Sequence, residues 1–513
     1  MHMKVFCFLL VFLASCFSSA FASEYDDLPI SFRQKWEALL HYSHGKSTIE
    51  SSSSFFLDRF GSTSPEKELV ATIDYFGKNP KNHCRYPARY YLLTGNQPEQ
   101  VCDEFNEYQR YVVADRVSLV FASESDTSPV SSMGHSFLVL GGINRLGLYK
   151  HHATAFVADS ALNENLFIAF LKDKIIGRYT LNPYDDVIFN YLNNEQRSLW
   201  EYELVLTEEE RRWLLLHLYE LKEHIVKYSF FTHNCSSGIN RILSVASEDF
   251  EYKNDQFYVT PIEYTKFVSS TGRIIEATVR PSLEDEERFK EGVVINPLNT
   301  GKTSKVNLSY LYDNRLKSGV GFLFLPFSFD LKEDSTAKSS LSEMKFFEVE
   351  AQLFKNEFIV KKITLVNLYS LANIQISSPK VNFGIDFQGA VDTEHTSLYP
   401  DLHFGTGLSW GESGVRPFYS ADVGLYCVPG RTTAYLKNIL GIFYTSERLG
   451  RASLSFEKVF STDVDYRNYS SAYSVSYSKR IGSDTWVNVQ GFVYKTSEAG
   501  NRKQLTVGFD YRF

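Results

Sequence analysis

The sequence predicts an α+β chain with a small helical N-terminal domain, a mixed helix–strand domain in the middle and a C-terminal antiparallel β-barrel of about twelve strands. Three observations carry this. Apolar residues recur at three-and-four spacing before residue 112, as in Phe32, Trp36, Leu39 and Leu40. Strand-length runs such as Met133-Gly-His-Ser-Phe-Leu-Val-Leu140 then alternate with helical stretches up to about residue 275. From about Asn296 onward, segments of roughly 10–14 residues alternate aromatic or aliphatic with polar or small residues, separated by turn residues.

Length and composition bound the answer. The 513 residues suffice for several domains, and a formal charge of −8 argues against a nucleic-acid footprint, which would be basic. Residues 1–22 read as a secretory signal: Lys4 is the only charge, an apolar run follows, and Ala20-Phe21-Ala22 offers a cleavage site. Leu13-Ala-Ser-Cys16 keeps a second reading open, lipidation at Cys16. The expected domains are 23–112, 113–280 and 290–513. Cys84 and Cys102 fit a disulfide in an oxidising compartment, and no spacing suggests a metal or a cofactor.

In chain order, Phe32–Tyr42 and Glu66–Phe76 read as helices, the second opened by Pro65. Val117–Ala122, Met133–Leu140 and Leu148–Asp159 read as strands, and Ala161–Lys172 as a helix. Tyr184–Asn193 reads as a loop or short strand, and Gln196–Leu206 as a strand. Thr207 with Glu210 forms a capping box that opens a helix to Lys227. The last segment, Gln504–Phe513, ends on an aromatic. With no apolar run long enough for a membrane helix, this alternation points to an outer-membrane barrel rather than a soluble sandwich.

The chemistry centres on Cys235, capped by Asn234 at the start of a helix. A helix N-terminus favours the thiolate and offers N–H groups for an oxyanion. A lone cysteine is more often packing. His135, beside Gly134 on a predicted strand, supplies a base candidate and reverses that weighting. His152, on the next strand, is expected to orient His135, while His151 points to the opposite face. His233 is a weaker base candidate, too close in sequence to Cys235.

The stretches Gly134–Leu140, His151–Phe156, Arg197–Glu210 and Phe230–Leu243 together resemble the periplasmic domain of Lnb-type lipoprotein N-acyltransferases. The resemblance covers about a third of the chain. It implies a permuted, papain-like cysteine-enzyme fold with Cys235 as nucleophile, His135 as base and His152 as third member. It also implies transfer of a fatty acyl chain from a phospholipid donor to the N-terminal amine of a lipoprotein acceptor through a Cys thioester, with Phe137, Phe230 and Phe231 as apolar walls. The expected location is the outer membrane, with the N-terminal domains in the periplasm. Two other classes stay open: a cysteine hydrolase on the same scaffold (peptidoglycan amidopeptidase or lipid hydrolase), and a non-enzymatic barrel.

Overall fold

A computed structural model describes residues 25–513 except 51–53, 99–101, 125–132, 160–174, 230–231, 254–258, 291–295, 332, 334–340, 356, 375–379, 390, 392–395, 412–413, 447, 463–465 and 497–499. The expected leader, Cys16, the helix at 161–172, Phe230 and Phe231 lie outside the described residues. The chain divides into two compact units, one ending at Ser282 and one running from Leu283 to Phe513.

The first unit opens with helices α1 (Ile30–Leu39), α2 (Pro65–Lys78), α3 (Pro87–Thr94) and α4 (Asp103–Tyr111). Pro65 and Pro87 sit in the first turns of α2 and α3, where a missing N–H costs nothing. A disulfide joins Cys84 to Cys102, with Cα atoms 5.3 Å apart. These helices share one core with the rest of the unit: Trp36 and Leu40 are buried in the same cluster as Ile239 and Leu243. Arg89, fully buried, ties α3 to α2 and to a later helix. It donates to Glu68 at 2.7 Å and lies 3.4 Å from Glu220. Its guanidinium also lies over Phe55 and Tyr86.

The frame of the unit is a seven-stranded antiparallel sheet. Its strands are β1 (Arg116–Ala122), β2 (His135–Ile143), β3 (Tyr149–Ala158), β4 (Ile175–Pro183), β5 (Leu199–Leu204), β6 (Val226–Tyr228) and β7 (Ile274–Arg280), in the order β6-β4-β3-β2-β1-β5-β7. Central strand β2 is buried on both faces, which is why it reads as an unbroken apolar run. Leu138 and Leu140 face the core that contains Ile239, Ile242 and Leu243. Phe137 and Val139 face Tyr184 on the other side.

Helix α5 (Tyr184–Phe189) and a π-turn (Asn190–Asn194) cover that second face. The sequence reading made this stretch a loop or short strand. Pro183 precedes the helix, Asp185 and Asp186 favour its N-terminal turn, and Val187, Ile188, Tyr191 and Leu192 form one apolar face. Helix α6 (Glu208–Leu221) opens with the expected Thr207/Glu210 capping box but stops at Leu221. The residues expected to extend it include β6, which pairs with β4. Helix α7 (Cys235–Ala246) follows, then α8 (Pro261–Ser270). Ile239, Ile242 and Leu243 on α7 are fully buried, each worth roughly 1.5–3 kcal/mol on removal from water. Gly238 lets α7 approach the sheet, since a Cβ there would fall 2.5 Å from the Cβ of Phe156.

The second unit begins with α9 (Leu283–Lys290) and is otherwise a closed antiparallel barrel of twelve strands. These are β8 (Lys305–Asp313), β9 (Lys317–Leu325), β10 (Leu341–Phe354), β11 (Glu357–Asn373), β12 (Lys380–Gln388), β13 (Tyr399–Ser409), β14 (Val415–Val428), β15 (Arg431–Ser446), β16 (Gly450–Ser461), β17 (Tyr469–Arg480), β18 (Thr485–Thr496) and β19 (Arg502–Arg512). Each pairs with its neighbour in sequence. Lys305 opposite Arg512 closes the ring between first and last strands, and β9 pairs directly with β10. A short strand, Phe327–Phe329, adds to β10. Apolar side chains alternate outward, with Leu308, Tyr310 and Tyr312 exposed on β8, and Leu440, Ile442 and Tyr444 on β15. Charged side chains are buried within: Arg502 meets Asp313 at 2.7 Å, and Arg512 meets Glu333 at 2.7 Å. An apolar outside around a polar inside is the arrangement that a lipid environment selects.

Candidate active site

Cys235 is the first residue of α7. Asn234 caps the helix, its side chain accepting from Ser237 N at 3.2 Å while its amide donates to Val259 O at 2.8 Å. The thiol is buried. It accepts hydrogen bonds from the backbone N–H groups of Ser136 and Ser236. Ser136 follows His135, so the sulfur lies against the first residues of β2. Gly134 enters this strand at φ 80°, and a Cβ there would meet the Phe121 ring at 2.6 Å. Only glycine fits that approach.

His135 begins β2 and is partly exposed into a cavity of about 330 Å³. Phe137, Ala153, Ala155, Val157 and Val187 give the cavity apolar walls, and Asn182, Asp186 and Asn190 give it polar ones. Tyr191 lies near both His135 and Cys235. Its ring stacks on His135 with centroids 6.4 Å apart, and burial, with Cys235 a minor contributor, pushes its hydroxyl up. Arg197 lies over the same tyrosine at 5.0 Å. It is held by Ser123 O at 2.6 Å, Ala122 O at 3.2 Å and Glu195 at 2.9 Å.

Burial decides the protonation of the pair. It pushes the Cys235 thiol up, against the Ser136 N–H, the Ser236 hydroxyl and N–H, and Arg197, all of which favour the thiolate. Burial, with Arg197 adding to it, pushes the His135 imidazole down to about 3. At neutral pH the site therefore rests as thiol and neutral imidazole. The N–H groups at the helix start favour the thiolate, as expected, but desolvation is the larger effect.

The register removes His152 from the site. His152 pairs with Leu140, five residues along from His135, which is ~17 Å at the usual strand rise. Leu140 faces α7, whereas the side chain of His135 turns to the cavity side with Phe137. His152 therefore cannot orient His135. His151 bonds Asp185 at 3.0 Å. His233 pairs with Ser229 through two backbone hydrogen bonds of 3.1 Å, and its ring lies 2.8 Å from Thr232 Oγ1. The sequence reading missed Ser136, Tyr191 and Arg197. Arg197 opens a segment singled out for its strand alternation, but nothing in that alternation assigns it an electrostatic role.

Residues 104–271, about a third of the chain, match the family model of the Lnb N-terminal periplasmic domain, and residues 29–96 match a domain of unknown function, DUF7843. No curated protein matches the chain. Among solved structures, the chain is similar to the NanC porin, at 6% identity and a TM-score of 0.29 over 40% of this chain and 100% of that one. It is similar to an outer membrane channel from Pseudomonas putida F1, at 7% and 0.28 over 42% and 96%. It is also similar to the Acinetobacter baumannii outer membrane protein Omp33, at 11% and 0.21 over 42% and 100%. At that level these likenesses bear on neither activity nor cargo. Residues 104–271 are thus similar to the Lnb N-terminal periplasmic domain, and the C-terminal part of the chain is a closed twelve-stranded β-barrel with an apolar outer face.

Proposed function

We propose that residues 113–280 form a cysteine-dependent acyltransferase that moves a fatty acyl chain from a phospholipid to the N-terminal amine of a lipoprotein. The observation that carries this is the contact of Ser136 N–H with the Cys235 sulfur, which sets the nucleophile against the strand end bearing His135. In the first half-reaction, neutral His135 takes the thiol proton as sulfur attacks the donor ester carbonyl. The N–H groups at this strand end and at the start of α7 stabilise the oxyanion, and the charge of Arg197 adds to them. The ester C–O bond breaks, and the leaving lysophospholipid oxygen takes the proton from His135. The acyl group remains on sulfur as a thioester. In the second half, the acceptor amine attacks the thioester carbonyl and gives a proton to His135. The C–S bond breaks, the thiolate recovers that proton and the amide leaves.

The cavity beside His135 suits this chemistry. Its apolar walls accept an acyl chain and exclude the water that would hydrolyse the thioester. His135 acts without His152, and stacking on Tyr191 holds its ring instead. The test is to incubate the full chain with acyl-labelled phospholipid and a lipopeptide that has a free N-terminal amine. Labelled amide, lost in Cys235→Ser and in His135→Ala, supports transfer. Free fatty acid alone makes the site a hydrolase, and no product removes the enzyme reading.

A further inference from the structure

The hairpin between β2 and β3 exposes four large apolar side chains in one short stretch. Ile143 is 63% exposed, Leu146 77%, Leu148 53% and Tyr149 59%. Tyr111, also exposed, follows Arg110, whose carbonyl accepts from Asn144 Nδ2 at 3.3 Å. The turn is held rather than loose. Buried Asn144 accepts from Leu146 N and Leu148 N, both at 3.0 Å, and Asn144 N bonds Leu148 O at 2.9 Å. Asp115 accepts from Ile143 N at 3.1 Å, and Gly147 takes φ 76°. A polar core thus fixes a loop whose leucines point away from the protein. Soluble loops present polar tips, and a fixed apolar tip marks an interaction surface.

The charges beside the tip indicate its partner. Arg145 lies between Ile143 and Leu146, Lys150 follows Tyr149, and neither forms an ion pair in the described structure. A cavity of about 480 Å³ alongside is lined by Arg145, Arg211 and Arg212 against Asp115 and Glu208. Apolar side chains flanked by tyrosine and unpaired cations match the border of a bilayer, where the apolar tip enters the acyl layer and the cations meet lipid phosphates. A protein partner would call for a broader flat patch, whereas this tip is narrow. We infer that the β2–β3 hairpin inserts into an anionic phospholipid surface. This does not rest on the acyl-transfer reading, since a hydrolase or a non-enzymatic domain would carry the same tip.

The test uses the full chain in vesicles. Leu148→Cys in a Cys427→Ser background carries an environment-sensitive fluorophore, with the Cys427→Ser protein alone correcting for labelling at buried Cys235. Vesicles of phosphatidylcholine, with or without phosphatidylglycerol, contain a nitroxide-labelled lipid as quencher. The expected result is blue-shifted, strongly quenched emission that rises several-fold with phosphatidylglycerol and falls several-fold in Arg145→Glu/Lys150→Glu. Both of those side chains lie outside the core, so the double variant should fold. Unquenched, water-like emission in both lipids would overturn the inference. So would quenching indifferent to lipid charge and to the double variant, or burial of the probe that tracks protein concentration, which would place a second copy on the tip.

Discussion

At the scale of single residues, the proposed mechanism starts from a neutral pair. His135 is competent when unprotonated, and its pKa of about 3 keeps it so down to acid pH. The thiol, raised by burial, stays protonated until the base accepts its proton. The profile of kcat/KM should therefore be flat from about pH 8 to pH 5, with its acid limb well below 5. An acid limb centred near the ordinary histidine value of about 6.5 would contradict the assignment. Gly238 makes a second prediction. Ala gains ~1 kcal/mol of helix propensity over Gly, but its Cβ would strike Phe156. Gly238→Ala should therefore be destabilised by about 1–3 kcal/mol net in urea unfolding. A stabilised variant would mean that α7 can move off the sheet freely.

At the scale of elements, caps and ion pairs decide placement. Asn234 holds the first turn of α7, and Asn234→Ala should cost ~1 kcal/mol and loosen the position of Cys235. Its activity loss should then exceed its stability loss. Arg89 and Glu220 join α3 to α6, and burial raises Glu220 to about 7. A carboxyl with a raised folded pKa contributes most below its unfolded value and loses that contribution as pH rises through about 7. Wild type should therefore lose ground to Glu220→Gln between pH 5 and pH 8, as read from paired unfolding curves. An unchanged difference across that window would mean that Arg89 fully offsets the buried charge.

The same scale explains what the sequence could tell. The cap at Asn234, the capping box at Thr207 and the apolar run of β2 are local patterns, and each stands where the sequence put it. The pairing of His135 with Cys235 drew on motif order, and the chain does bring Ser136 to the sulfur. The role given to His152 failed because adjacency of two strands was known but their register was not. A shift of five residues along a strand is invisible to a two-residue periodicity. Helix α5 was missed because it is short and its apolar face is completed by the sheet beneath it. Arg197 and Tyr191 matter only through contacts that the fold creates.

At the scale of the whole molecule, the chain combines two kinds of folded core. The first unit buries apolar residues beneath charged surfaces, while the barrel reverses the order. The reversal predicts opposite tolerances. Leu440→Arg on the outer face should cost up to ~2–4 kcal/mol in vesicle refolding if Leu440 sits near mid-bilayer. A neutral effect at Leu440 and at neighbouring Ile442 would argue against a lipid-facing band. The proposed acyl transfer would thus sit on the same chain as a barrel whose outer face is apolar.

The most direct measurement of the central claim is the mass of the Cys235 peptide after mixing the full chain with phospholipid and no acceptor. The account predicts an acyl adduct on Cys235 that disappears when an amine-bearing lipopeptide is added, is absent in Cys235→Ser and accumulates far more slowly in His135→Ala. An unmodified Cys235 alongside continued acyl transfer, or transfer by Cys235→Ser itself, would contradict it.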